Sequence, residues 1–232
     1  FHHRGNENTE YLKNAIPYSD KVSFITKWAA DYLGFKIDNK KYVVDELRPP
    51  SIFYSNSDRE KQKTTRLITH HWSTNQMKGF DLYKKIDSII VDREDIEFIF
   101  LGRVPDNFNT KKIKIIPPKD SKGVNDELIK ADIYVTASVF ETGGNHIVEA
   151  LASGLPVLYH KDGGGICDIA KNYGLSYSSE NDFINSLEII INNYSSYVEK
   201  NKNFKGTLED TVLEYTRYME DLSHEKKYKI FS

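Results

Sequence analysis

Short apolar runs alternate with amphipathic stretches along most of the chain. Residues 65–69, 96–102, 113–116, 133–136 and 156–159 are dense in β-branched and aromatic side chains and read as strands. Between two of them, Phe80, Leu82, Tyr83, Ile86, Ile89 and Ile90 recur at helical spacing, which predicts a helix over residues 80–91. Further helices are expected over residues 124–131, from near 145 to Gly154, and over 166–172 and 182–192. Strand and helix alternate throughout, so the pattern predicts an α/β fold: a doubly wound parallel sheet covered on both faces. Ligands of such sheets sit at the carboxyl ends of the strands, where the winding reverses. The loops at 70–79, 102–105, 117–122 and 138–145 are therefore expected on one edge.

The first 50 residues are organised differently. A helix over 7–15, a strand over 21–26, a helix over 27–33 closed by Gly34 and a strand over 42–44 are too few for an independent α/β domain. Pro49 and Pro50 remove two backbone donors and favour extended geometry, which places a boundary near 47–56. Residues 1–50 thus read as the remnant of one domain, 51–206 as the main domain, and 207–232 as a helix and tail. That helix, over 208–222, is amphipathic, and the tail from Lys226 to Lys229 is expected in solvent.

Charge and composition narrow the function. With 32 basic and 34 acidic residues the net charge is -2, so no basic field points to nucleic acid. The single cysteine, Cys167, excludes an internal disulfide framework and fits a reducing compartment. The sequence has no apolar run near the roughly 20 residues of a membrane helix and no signal-peptide layout, so a cytoplasmic protein is expected. The chain begins at Phe1, and sequence upstream of it is expected.

The richest chemistry lies between Glu141 and Glu149. A strand runs into Gly143 and Gly144, and a helix begins near Asn145, a good N-cap residue. Without Cβ atoms at the two glycines a phosphate can approach the amides, and the helix dipole favours its charge. Glu149 comes about one turn into the helix and Glu141 precedes the turn. Two carboxylates therefore flank a phosphate-friendly turn, an arrangement suited to an anion that also carries hydroxyl groups. Elsewhere, His70 and His71 read as loop residues whose spacing with His2, His3 or Cys167 matches no metal pattern. Gly163, Gly164 and Gly165 lack the order of a dinucleotide loop and read as a turn. Trp28 and Trp72 read as packing residues, and Arg103 as either solvated or facing the ligand.

Glu141 and Glu149, the stretch from Glu149 to Val157, the later Gly164, Gly165 and Asp168, and Lys78 with Gly79 together resemble the nucleotide-sugar domain of GT-B glycosyltransferases, most nearly the retaining group 1 family. The likeness covers about residues 20–222. It implies a metal-independent transferase that moves a sugar from a nucleoside-diphosphate donor to a glycan or lipid-linked acceptor with retention, without a cofactor. Glu149 would bind the donor ribose and Glu141 would contact the donor sugar. The amides at Gly143, Gly144 and Asn145 would hold the donor, and Lys78 would neutralise the departing diphosphate. Residues 1–50 would be the end of the acceptor domain, to which the last helix returns. Polysaccharide or glycolipid assembly follows by analogy, with peripheral association at the inner membrane face left open. Three positions depart from the family: no arginine precedes Lys78, so either a histidine (His70 or His71) or Ser73 acts on the phosphate or the second positive charge is missing; Gly143 replaces an aromatic; Asp168 replaces a glutamate. A same-fold epimerase or phosphorylase, and a non-catalytic nucleotide-sugar-binding fragment, remain as alternatives.

Overall fold

The computed structural model describes residues 5–38, 40–55 and 63–230, the side chains of 5–9 and 224–230 excepted. His2, His3 and the side chains of the basic tail at 226–229 lie outside the described residues. The chain opens with helix α1 (Gly5–Ala15), strand β1 (Val22–Phe24), helix α2 (Lys27–Leu33) and strand β2 (Tyr42–Val44), and β1 pairs with β2 in parallel. Thr26 accepts a hydrogen bond from the Ala29 amide and so caps α2, which shortens the expected strand at its end. Ile16, Phe24, Ala30 and Leu33 form a small core of their own.

Six parallel strands make the main sheet: β3 (Thr65–His71), β4 (Ile96–Gly102), β5 (Ile113–Ile116), β6 (Ile133–Thr136), β7 (Val157–His160) and β8 (Gly174–Tyr177). Their order is β5-β4-β3-β6-β7-β8, so the winding reverses between β3 and β6. Neighbouring residues serve opposite faces, as the period of a strand requires. Leu67, Phe98 and Val135 pack with Tyr83 and Ile86 of α3 (Phe80–Ile89) and with Phe183 and Leu187 of α7 (Glu180–Asn192). Ile68, Ile99 and Tyr134 pack instead with Leu128 of α4 (Ser121–Leu128), Ile147 and Leu151 of α5 (Asn145–Ala152), and Ile166 of α6 (Gly165–Ala170). Each such side chain contributes on the order of 2 kcal/mol by leaving water. The sheet is therefore held from both sides, and its carboxyl edge is left for loops.

The structure corrects several boundaries. His70 and His71 are not in a loop: they end β3, in register with Leu101 and Gly102 of β4. Both are buried, and two consecutive polar residues at a strand end had resembled solvent-facing chain. Helix α4 starts earlier than its apolar pattern because Asp120 caps it, accepting the Gly123 amide at 2.8 Å. Strand β8 was not anticipated, since Gly174 and Ser176 dilute its apolar signal. A Cβ at Gly174 would lie 1.7 Å from the Val157 carbonyl oxygen, so the strand pair requires glycine there. Helix α8 (Tyr194–Asn201) was also missed, being largely polar and separated from α7 by Asn193 alone. The last helix, α9, runs over Leu208–Ile230, beyond the expected end at 222. Arg48 pairs with Glu214 at 3.0 Å and Tyr218 donates to Asp45 at 3.0 Å, which ties α9 to the first segment. No helix among the described residues is long and apolar enough to cross a membrane.

Candidate functional site

The winding reversal opens a cavity of about 880 Å³ over the carboxyl ends of β3, β4 and β6. All four expected loops reach it, through residues such as Ser73, Gly102, Lys119 and Gly144. Every residue nominated from sequence lines it: Glu141, Lys78, Gly143, Gly144, Asn145, Glu149, His71 and Ser73.

Helix α5 presents its amino end to this space. Its N-cap is Gly144 rather than Asn145, which is the first helical residue, and no side chain caps the helix. The amides at its start are thus left for a ligand, with the dipole favouring an anion. The far end stops as expected, with Gly154 at φ 80°. A Cβ at Gly143 would lie 2.7 Å from Ile25 Cδ1, so an N-terminal side chain fills the space that a larger residue would take. Thr26 Oγ1 donates to the Thr142 carbonyl at 2.6 Å and the Trp28 amide to Asp168 at 2.8 Å, fixing the first segment against the glycine turn.

Glu141 and Lys78 meet. Lys78 Nζ donates to Glu141 Oε1 at 2.5 Å, and both side chains are largely buried. Gly79 makes this possible: its φ is 80°, and a Cβ there would sit 2.0 Å from the Ala137 carbonyl oxygen. The Val139 amide donates to the Met77 carbonyl at 2.8 Å, so the loop bearing Lys78 is stapled to the segment that leads into Glu141.

On the other side of α5, His70 Nε2 lies 2.6 Å from Glu149 Oε2. His71 Nε2 contacts the Tyr83 hydroxyl at 2.9 Å, and that hydroxyl also accepts the Ala137 amide at 3.1 Å. Burial holds His71 well below the ordinary imidazole range, with the charge of Lys78 adding to the effect. His146, on α5, contacts Thr136 Oγ1 at 3.3 Å and is pushed down by the same causes. Burial raises the Tyr83 hydroxyl to about 12. The His71 and His146 imidazoles beneath the cavity are therefore held neutral, and Lys78 stands in its wall paired with Glu141. Ser73 is exposed, and its Oγ accepts the Asn75 amide at 3.1 Å.

Among the lining residues that sequence reasoning misjudged are His70, His146 and Trp72. His70 reads from sequence only as a loop histidine near the phosphate, whereas as the end of β3 it falls beside α5 and meets Glu149. His146 lies inside the Glu141 to Glu149 motif, at a position that reads as ordinary helix. Trp72 is not a packing residue: it is 65% exposed at the cavity, with the Arg103 guanidinium 4.4 Å from its ring centre. Gly163, Gly164 and Gly165 form a turn whose backbone pairs with Glu141, and the Phe140 amide donates to the carbonyl of Asp162 just before it. Among the described residues no group of three His, Cys, Asp or Glu side chains is placed to hold a metal ion.

An open parallel sheet with an anion-ready helix at its switch point defines a Rossmann-like domain of the kind found in GT-B glycosyltransferases. The chain belongs to the glycosyl transferases group 1 family, whose model matches residues 55–207. No curated protein matches it in sequence. Among solved structures, sucrose-phosphate synthase from Thermosynechococcus elongatus shares the fold with a TM-score of 0.74 at 14% identity, over 96% of this chain and 63% of that one. TarM of S. aureus gives 0.71 at 14% identity, over 91% and 46%. The pneumococcal O-GlcNAc transferase GtfA, solved in complex with UDP and GlcNAc, gives 0.70 at 15% identity, over 94% and 48%. The chain thus spans 46% to 63% of the length of these proteins.

Proposed function

We propose that this chain is the donor-binding part of a glycosyltransferase that moves a sugar from a nucleoside-diphosphate sugar to a glycan or lipid-linked acceptor with retention of configuration. The observation that carries the reading is the uncapped amino end of α5 opening into a cavity with Glu141 on one side and Glu149 on the other. In this reading the diphosphate rests on the amides at Gly143, Gly144 and Asn145, Glu149 accepts from the ribose hydroxyls, and Glu141 contacts the transferred sugar. As the bond between the anomeric carbon and the diphosphate breaks, negative charge grows on the phosphate. In this reading Lys78, held in the cavity wall by Glu141, and the helix-end amides meet it, which is where fixed dipoles lower a barrier most. Ser73, exposed at the cavity, is left as the group nearest the role that an arginine fills elsewhere in the family, since His71 is buried against Tyr83 and held neutral. Residues 1–50 and α9 belong, in this reading, to the side that receives the acceptor.

The structure of GtfA in complex with UDP and GlcNAc supports a uridine nucleotide as the first donor to try. Titration calorimetry of the protein with UDP, GDP and ADP tests the reading directly. Binding of one of them, weakened at least tenfold by Glu149→Ala, is expected. Failure of all three to bind would remove it.

A further inference from the structure

We propose that Trp72, backed by Arg103, is the platform on which the donor's nucleobase stacks, and so a determinant of donor affinity. This rests on the donor reading above, and it starts from strand order. Helix α5 follows β6, Arg103 follows β4 and Pro118 follows β5, with β3 lying between β6 and β4. Adjacent strands are about 4.8 Å apart, so the loop after β4 lies roughly 10 Å across the sheet from the helix that receives the phosphates. A nucleotide whose diphosphate sits on α5 and whose ribose meets Glu149 thus has the loops after β4 and β5 within reach of its base, where Gly102, Pro118 and Trp72 line the same cavity.

Its placement is held by the backbone beneath it. The Arg103 amide donates to the His71 carbonyl at 3.0 Å, and a Cβ at Gly102 would lie 2.0 Å from that same oxygen. The ends of β3 and β4 are thus locked together, which sets Trp72 and Arg103 side by side. The guanidinium covers the indole at 4.4 Å, a cation–π contact, while the side chain stays 65% exposed and lines the cavity. The indole stays out of the core and lines the cavity that the donor reading assigns to the nucleotide. A planar heterocycle is the ligand part that matches an indole face, and such stacking tolerates different bases.

The test compares the unaltered protein with Trp72→Ala and Trp72→Phe, titrated with UDP, GDP and ADP and, as a probe without a base, with inorganic pyrophosphate. Trp72→Ala should weaken the best-bound nucleoside diphosphate roughly tenfold while leaving pyrophosphate affinity unchanged. Trp72→Phe, which keeps a ring, should stay within about threefold. Unchanged nucleotide affinity in Trp72→Ala would overturn the assignment, as would an equal loss for pyrophosphate, which would mark a structural role. A change confined to the acceptor's KM would place a sugar on Trp72 and overturn it too. If the unaltered protein binds none of the nucleotides, the donor reading itself falls; if it binds and Trp72→Ala binds equally, only the stacking falls.

Discussion

His70 Nε2 and Glu149 Oε2 are 2.6 Å apart across 79 positions of sequence, so the carboxylate on α5 is gripped from the end of β3. The pair fixes the orientation of the group assigned to the ribose. Hydrogen bonds to a charged partner are worth about 1.5–3 kcal/mol, so His70→Ala should raise the donor KM roughly tenfold or more and change kcat less than twofold. His70→Gln, which can still donate to the carboxylate, should recover most of the loss. Equal falls in kcat and kcat/KM would show instead that His70 acts only in the transition state.

Lys78 and Glu141 form the second pairing, and it is largely buried. Removing one member leaves the other charged and unsolvated, which costs about 3 kcal/mol, whereas removing both costs much less. Lys78→Ala should therefore lower the denaturant midpoint, and Lys78→Met combined with Glu141→Gln should restore most of it. Activity should behave differently, falling on the order of 100-fold or more in both variants. If the double variant regains turnover together with stability, Lys78 has no part in the chemistry.

Much of this was legible in the sequence, for a physical reason. Runs such as 96–102 are buried on both faces, so nearly every residue is apolar and the strand announces itself. The Glu141 to Glu149 motif was legible because its parts are local: a glycine turn, a helix start and a carboxylate one turn on. What escaped depends on neighbours distant in sequence. Nothing near His70 reveals that α5 will lie beside it, and nothing near Trp72 reveals that Arg103 will cover one face of the indole. Strand β8 escaped because glycine is demanded by the carbonyl of Val157, a partner from another strand. Helix α8 escaped because its residues are mostly polar.

Gly79 couples the backbone to the site. At φ 80°, and with the Ala137 carbonyl oxygen 2.0 Å from any Cβ, alanine fits neither the conformation nor the space. Gly79→Ala should cost more than about 2 kcal/mol, and the displaced loop should carry Lys78 away from Glu141. Thermal unfolding and turnover measured on the same sample check this. A variant with normal stability would mean that the Lys78 loop is not stapled to the segment before Glu141.

The buried histidines set how stability depends on pH. His71 and His146 are both held well below the ordinary imidazole range, first by burial and then by the charge of Lys78, and burial pushes His160 down as well. Below pH about 6.5 the unfolded chain takes up protons at these positions while the folded chain does not, so acid favours unfolding. Each fully depressed histidine contributes a slope of up to about 1.4 kcal/mol per pH unit. The carboxylates whose affinity for protons is lowered in the fold, among them Asp95 and Glu97, act only nearer pH 4, so the histidines govern the interval above it. Calorimetric unfolding should give a plateau above pH 7 and a steep fall between pH 6.5 and 5. His146→Leu should flatten that fall by one histidine's share, and a curve level from pH 7 to 5 in the unaltered protein would mean that these rings are not buried neutral beneath the cavity.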